Sequence, residues 1–501
     1  MSMINNKTPP DIDLKRLLEY YQNGRYHDAE KLALSITRKF PNHQFCWKVL
    51  GALFAQSDRK LKALKANKKS VKLAPQDPEA HSNLGNILQE LGRLEKAKAS
   101  YKKAIILKPD LAHVHYNFGN TLRRLGQLEE AEASYKQAIL LDSNYYNAYN
   151  NLGIILQDLG RLEESEISYR NAITLKLDYI EAHNNLGTTL QALGKLQEAE
   201  VSYNNAIELE PDYLEAYFNL SVTYKELGEL EKARESFVKV IALKPNYAEA
   251  YYNLGNTLKE LDRLEEAESN YKKALEFKPD YQSAKHMLAS LTGETPSSAP
   301  RVFVENLFDG YASKFDSSLV GKLEYKTPLL IAEILKRQSP ERSLGSVLDL
   351  GCGTGLVGVE IKELCLNLEG IDVSNLMLRK AKQKNIYDKL LQRDIVEYLL
   401  SEELNFDYFI SSDVFVYIGD LSDIFRLVKS RNRSNGKLVF TTENQEKDGF
   451  SLLKSGRYSH SKTYIEGLCK RFNFTLSYFE TVKLRKERGQ FISGGVYLLD
   501  F

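Results

Sequence analysis

From Val347 to Gly355 the chain reads Val-Leu-Asp-Leu-Gly-Cys-Gly-Thr-Gly, and from Leu368 it continues Leu-Glu-Gly-Ile-Asp-Val-Ser. Three glycines, at 351, 353 and 355, allow a sharp strand-to-helix turn and let backbone N–H groups approach a ligand. Asp372 stands 372−351 = 21 residues after the first glycine. An acid there, at the end of the next strand, can accept hydrogen bonds from both hydroxyls of a ribose. Asp349 lies two residues before the first glycine. A carboxylate in that place repels a pyrophosphate and suits a cation. These residues therefore predict a site for a positively charged nucleoside. The rival is a dinucleotide, whose fingerprint needs GxGxxG with a third glycine packing the helix. Cys352 sits inside the turn and is expected to contribute its backbone alone.

The elements that must hold these residues follow from the surrounding pattern. Short β-rich runs at Ser346–Leu350, Leu368–Val373, Tyr408–Ser411 and Lys437–Thr442 alternate with amphipathic helical stretches. That alternation predicts βαβ units and a mostly parallel sheet. Two last runs, near Thr475–Leu484 and Gly494–Phe501, suit a closing antiparallel pair.

Asp-Leu-Gly-Cys-Gly-Thr-Gly in this setting resembles the class I S-adenosylmethionine-dependent methyltransferases, over about residues 345 to 501. The resemblance implies a Rossmann-like α/β domain with a mostly parallel seven-stranded sheet and S-adenosyl-L-methionine as cofactor. It implies that Asp349 and the turn of Gly351, Cys352, Gly353 and Gly355 hold the methionine part, while Asp372 holds the ribose. Asp394, in Leu391-Gln-Arg-Asp-Ile, would accept from the adenine amine. Asp413, in the loop Ser411-Ser-Asp-Val-Phe-Val-Tyr417 after the fourth strand, would touch cofactor or acceptor. Leu307-Phe-Asp-Gly-Tyr311-Ala-Ser-Lys-Phe315-Asp316 resembles the N-terminal helices that close over the cofactor in small-molecule enzymes of this kind, which brings in Tyr311. An oxygen acceptor would need a base, for which His460 and Tyr417 are the candidates. The fourth-strand loop is not of the Asn-Pro-Pro-Tyr type that grips an amide or amine nitrogen, and no paired-glutamate loop follows it. No metal-ligand spacing is visible.

Upstream the chain repeats itself. Gly51, Gly85, Gly119, Gly153, Gly187, Ser221 and Gly255 recur every 34 residues, as do Ala97, Ala131, Ser165, Ala199, Ala233 and Ala267. Tyr101, Tyr135, Tyr169, Tyr203, Phe237 and Tyr271 keep the same period, and Pro109, Pro211, Pro245 and Pro279 close their units. The pattern resembles the tetratricopeptide repeat: two antiparallel helices per unit, small residues where they touch, and an aromatic filling the gap. Eight units are expected from about Pro10 to Tyr281, with a capping helix over Gln282–Leu291. His81, His115 and His183 occupy packing slots. Asn83, Asn117, Asn151, Asn185, Asn219 and Asn253 share one position of the unit. In this architecture that position faces the concave groove, so the amides would form a ladder able to hold an extended peptide by its backbone. Similar ladders occur in the O-linked N-acetylglucosamine transferases. The whole arrangement resembles the tetratricopeptide-containing methyltransferases.

The expected domains are thus an all-α solenoid at 10–292, a Gly/Pro/Ser/Thr linker at 293–300, and a methyltransferase domain at 301–501. The last divides into a helical lid (301–344) and an α/β core (345–501). Five hundred and one residues accommodate these parts. Sixty-eight Lys and Arg balance 67 Asp and Glu, for a net charge of +1. Such a balance argues against nucleic acid or an anionic membrane as partner. Four scattered cysteines without a CxxC pair, a polar start at Met1–Asp13 and no long apolar run fit a cytoplasmic protein. Its partners would be a protein or extended peptide in the groove and an unidentified methyl acceptor.

Overall fold

The computed structural model describes residues 8–312, 315–316, 324–338, 343–487 and 489–501. Met1–Lys7 and parts of the lid expected over 301–344 lie outside the described residues. The chain divides into two compact units, Met1–Glu229 and Leu230–Phe501.

The first unit holds thirteen helices, from Asp11–Gln22 to Leu214–Leu227. Its packing depends on one recurrent contact. A methyl group on Gly85, Gly119, Gly153 or Gly187 would lie 2.6, 2.7, 2.7 or 2.5 Å from the ring of Tyr101, Tyr135, Tyr169 or Tyr203. Each tyrosine is buried against a helix that approaches as closely as its ring thickness allows. The phenol then finds a polar end: Tyr101 donates to Asn86 Oδ1 at 2.6 Å and Tyr135 to Asn120 Oδ1 at 2.8 Å. Turns between the paired helices pass through Gly92, Gly126, Gly160 and Gly194 at φ of 70 to 76°. A side chain in that left-handed region costs energy, which is why glycine recurs there. His81, His115 and His183 each bring Nε2 to a backbone carbonyl six residues earlier, at 2.8 to 3.0 Å, as packing residues would.

The second unit opens with the helices Leu230–Leu243, Ala248–Glu260, Leu264–Phe277 and Gln282–Thr292. The α/β domain follows, with strands β1 (Gly345–Leu350), β2 (Cys365–Asp372), β3 (Lys389–Gln392), β4 (Tyr408–Ser411), β5 (Lys437–Asn444), β6 (Phe450–Leu452), β7 (Tyr458–His460), β8 (Thr475–Glu487) and β9 (Gln490–Asp500). Their order is β3-β2-β1-β4-β5-β7-β6, with β9 antiparallel between β5 and β8. Pairings among β1 to β5 are all parallel. Leu348, Leu350, Phe409 and Phe440 face one helical layer, and Val347, Ile410 and Val439 the other, as alternation requires.

Two expectations need correcting. The sheet has nine strands rather than seven, because Phe450–His460 forms a hairpin that continues beyond the end of β5. Nor is 293–300 a free linker. Ser297 O accepts from the N–H of Gly419 (2.9 Å) and Asp420 (2.8 Å), and Ala299 N donates to Tyr417 O at 2.9 Å. The capping helix is likewise fastened to the α/β domain: His286 Nε2 meets Gly456 O at 2.8 Å, inside the hairpin, and its ring lies 4.6 Å from Phe303. A Gly/Ser/Thr/Pro composition predicts a connector; it says nothing of whether its backbone finds partners.

Replacing Gly153 by alanine drives a methyl into Tyr169 and should cost about 1–3 kcal/mol of stability in urea unfolding. An unchanged midpoint would mean the ring can yield. His286→Ala leaves the Gly456 carbonyl buried without its donor and should cost about 1–3 kcal/mol, read as a lower melting temperature of the full chain.

Candidate functional site

β1 and β2 end side by side, and the site is built where they stop. Gly351 leaves β1 at φ 79°, and its N–H and that of Cys352 both donate to Ile371 O at 2.9 Å, locking the turn to β2. A methyl on Gly351 would strike Val414, on the loop after β4, at 2.5 Å. Gly353, at φ 55°, points instead into open space: a methyl there would meet only Phe315, at 3.9 Å. That gap is the room the glycine leaves for a ligand. Gly355 caps the helix Leu356–Ile361.

Both acids of the motif are buried at this bend. Asp372 accepts from Gly353 N at 2.9 Å through Oδ2 and from Ser374 N at 2.8 Å through Oδ1. Asp349 accepts from Tyr387 Oη at 2.7 Å. Among the described residues neither has a cationic partner. Burial pushes the Asp349 carboxyl up to about 7, and burial pushes Asp372 up to about 6. Charge removed from water without a counter-ion is costly, so both favour the proton. Cys352 is buried beside them and its thiol is pushed well above its usual range by burial. Its contribution here is a backbone N–H.

A cavity of about 460 Å³ opens over the bend, within the span of roughly 300–1,000 Å³ typical of small-molecule sites. Gly351, Cys352 and Gly353 of the glycine turn line it, with Asp349, Asp372, Asp394, Asp413 and Tyr417. Asp394 also caps the helix Ile395–Ser401, accepting from Val396 N (2.9 Å) and Glu397 N (3.1 Å). Asp413 has left-handed backbone at φ 55° and accepts from Arg485 Nη1 at 2.9 Å. Tyr417 stacks edge-on with Phe308 at 5.4 Å, and burial raises its phenol.

Three expected site residues are not brought to the cavity: His460, Tyr311 and Gly355, the last of which packs against Tyr387. His460 lies in β7, fully buried between Phe450 and Tyr464, with Nε2 at 2.9 Å from Gly419 O. Burial lowers its imidazole to about 4, so it is neutral and packed. Tyr311, at the end of helix Arg301–Tyr311, is 54% exposed and outside the cavity lining. The amides of the repeats are engaged with each other. Asn117 donates to Asn86 (3.2 Å), Asn151 to Asn120 (2.8 Å), Asn185 to Asn150 (3.2 Å) and Asn219 to Asn184 (3.1 Å), each on the preceding unit. Asn253 instead donates to Glu249 O at 2.9 Å within its own helix, and Asn83 O accepts from Asn67 at 3.3 Å. They form a ladder of staples between units.

Several lining residues carried no motif. Ser298 and Ala299 come from the expected linker, Tyr325 donates to or accepts from Ser412 at 2.9 Å, and Arg457 and Arg485 rise from the hairpin and β8. A charged residue within the β-rich run that ends the chain was the one available signal for Arg485. Among the described residues no cluster could hold a metal ion, and no helix is long and apolar enough to cross a membrane.

Comparison with known proteins agrees with this geometry. Residues 341–485 match a family model described as a methyltransferase domain. Residues 43–239 match the cilia and flagella-associated protein 70 C-terminal domain, 223–262 a TPR repeat and 248–281 a tetratricopeptide repeat. Malonyl-[acyl-carrier protein] O-methyltransferase of Bacillus anthracis is 30% identical over 120 residues, covering 23% of this chain and 44% of that protein. Ubiquinone biosynthesis O-methyltransferase of Rickettsia akari is 28% identical over 135 residues, covering 26% of this chain and 51% of that protein. The chain spans about half the length of the curated relatives it matches. Among solved structures, YrrB, "a TPR protein with an unusual peptide-binding site", is 29% identical with a TM-score of 0.34, covering 37% of this chain and 96% of that one. Sequence motif, sheet order and family match thus converge: tetratricopeptide repeats are followed by a class I methyltransferase domain.

Proposed function

We propose that the chain binds S-adenosylmethionine over the Gly351–Gly355 bend and transfers its methyl group to a small acceptor. One observation carries this reading: two buried carboxylates, without a counter-ion among the described residues, flank a turn whose middle glycine faces empty space. A ligand bearing positive charge relieves the cost of those acids, which a pyrophosphate would increase. When bound, the cofactor supplies an electrophilic methyl group on a cationic sulfur. The chain's own residues then orient and enclose. Gly353 leaves room and Asp372, fixed by two backbone N–H groups, keeps lone pairs for ribose hydroxyls. Asp349, fixed by Tyr387, faces the amino-acid part, and Asp394 suits the adenine amine. Phe308 and Phe315 exclude water from above. Holding the reactants in line is the main task, since a displacement at carbon needs no catalytic metal.

We further propose that the repeats recruit a protein partner. Each stapling amide donates to the neighbouring unit; the carbonyl oxygen of Asn151 accepts from Asn150, and those of Asn117, Asn185 and Asn219 suit an acceptor role. A backbone N–H of an extended peptide is the complementary group. The near-zero net charge supports a partner other than nucleic acid, and four free cysteines support a reducing cytoplasm.

Titration calorimetry of S-adenosylmethionine into the full chain should give saturable binding; a flat titration excludes the methyl-transfer reading. Asp372→Asn should weaken binding about 10- to 100-fold, the worth of hydrogen bonds to a charged group. Binding should also strengthen as pH rises from about 5 to about 8, with protons released on binding. Both acids hold protons in the folded chain above the ordinary carboxylate range, and a cation displaces them. The same groups make the ligand-free chain lose stability over that rise, so the thermal shift produced by the cofactor should grow with pH. Alanine at Asn117, Asn151, Asn185 and Asn219 should weaken partner capture and leave cofactor affinity unchanged.

A further inference from the structure

Away from the glycine bend, one part of the cavity wall has a composition that cofactor binding does not explain. Arg457, just before β7, and Arg485, in β8, both line it and are both largely buried. They converge on a single oxygen: Glu443 Oε1 accepts from Arg457 Nε at 2.7 Å and also from Arg485 Nη2. Glu487 takes Arg457 Nη2 and Asp413 takes Arg485 Nη1. Glu443 and Glu487 stay outside the lining, so the carboxylates hold the pair from behind while the guanidiniums face the cavity. Two like charges side by side in a low-dielectric wall are expensive. Five N–H donors belong to each guanidinium. Arg457 Nη1 and Arg485 Nε have no protein partner among the described residues. A cluster that served packing alone would spend those donors on the protein.

A second observation concerns protons. Among the described residues, no free base stands beside these arginines. His460 is packed in β7 against Gly419 O, outside the lining. Tyr417 and Tyr325 line the cavity as buried phenols, both raised by burial. Asp413 is consumed by Arg485. An alcohol, phenol or ammonium acceptor seated at the arginines would have to lose a proton with no free base beside them to take it. A carboxylate has none to lose and matches the planar fork of a guanidinium. Phe308, Phe315 and Val416 add apolar surface to the wall, and 460 Å³ must hold donor and acceptor together.

We propose that Arg457 and Arg485 form the acceptor subsite and that the acceptor is an aliphatic carboxylate, released as its methyl ester. This rests on the methyl-transfer reading above. One carboxylate oxygen accepts from the arginines. A lone pair on the other forms the new O–CH₃ bond as the C–S bond breaks, and the bonding pair goes to sulfur, which becomes a neutral thioether. No proton is exchanged and no oxidant or metal is required.

The test uses the full chain, methyl-labelled S-adenosylmethionine, and a panel of straight-chain aliphatic carboxylic acids with the matching alcohols and primary amines. Label should pass to carboxylates alone, and mild alkali should release it as volatile methanol, as esters do and ethers or methylamines do not. Arg457→Gln should raise KM for the carboxylate at least tenfold, with a smaller change in kcat and unaltered cofactor affinity. Arg485→Lys, which keeps the charge but loses the fork, should act in the same direction. Transfer to alcohols or amines, alkali-stable label, no transfer to any carboxylate by a chain that binds the cofactor, or a wild-type KM in Arg457→Gln would each overturn the proposal. A chain that fails to bind the cofactor in calorimetry would instead overturn the underlying methyl-transfer reading, and this proposal with it.

Discussion

Two carboxylates buried at the ends of neighbouring parallel strands, with no cation among the described residues to meet them, are the constraint around which the α/β domain is organised. Parallel pairing of β1 and β2 puts Asp349 and Asp372 near each other by geometry alone. Once there, neither can be left to itself. Backbone N–H groups of Gly353 and Ser374 and the hydroxyl of Tyr387 supply hydrogen bonds but no charge. Both acids therefore remain electrostatically unsatisfied, their carboxyls raised by desolvation. The positive backbone dihedrals of Gly351, Gly353 and Gly355 follow from the same requirement, since the turn must bring N–H groups inward while leaving the space above them open.

Elsewhere in the cavity wall stand two cations that are already paired. Arg485 joins β8 to Asp413 and Glu443, and Arg457 joins the hairpin to Glu443 and Glu487. The cavity wall thus carries both acids awaiting a cation and guanidiniums with donors to spare. Under the proposed function, such a wall suits a reaction between a cationic donor and an anionic acceptor. The wall itself depends on segments of low complexity. Ser297 and Ala299 pin Tyr417 and its neighbours, and His286 of the capping helix holds the carbonyl of Gly456, next to Arg457. The last repeat helices and the catalytic half belong to one compact unit, Leu230–Phe501, rather than to separate domains joined by a tether.

In the repeats the amides carry a different lesson. A 34-residue period fixes which residues recur at one position, and the glycine–tyrosine contact follows directly from size complementarity. The period also places Asn117, Asn151, Asn185 and Asn219 in register. It does not say that each would donate to an amide of the unit before it, because that depends on a rotamer chosen against its neighbours.

Local pattern was enough for everything set by spacing and backbone chemistry. The repeat period, the capping helix, the strands β1, β2, β4 and β5 and the glycine turn were legible, because each depends on residues close in sequence or on a turn only glycine permits, whereas β3 carried no strand signal. What tertiary structure decided was the company each side chain keeps. His460 looked like a base and is a core residue, since β7 carries it into the protein beside Phe450 and Tyr464. Tyr311 stands outside the cavity. Ser298 and Ala299 looked like linker and line the site, while Arg457, Glu443 and Arg485 meet there from three strands or strand ends up to 42 residues apart. Burial and long-range pairing are sums over neighbours distant in the chain, and no local pattern encodes them.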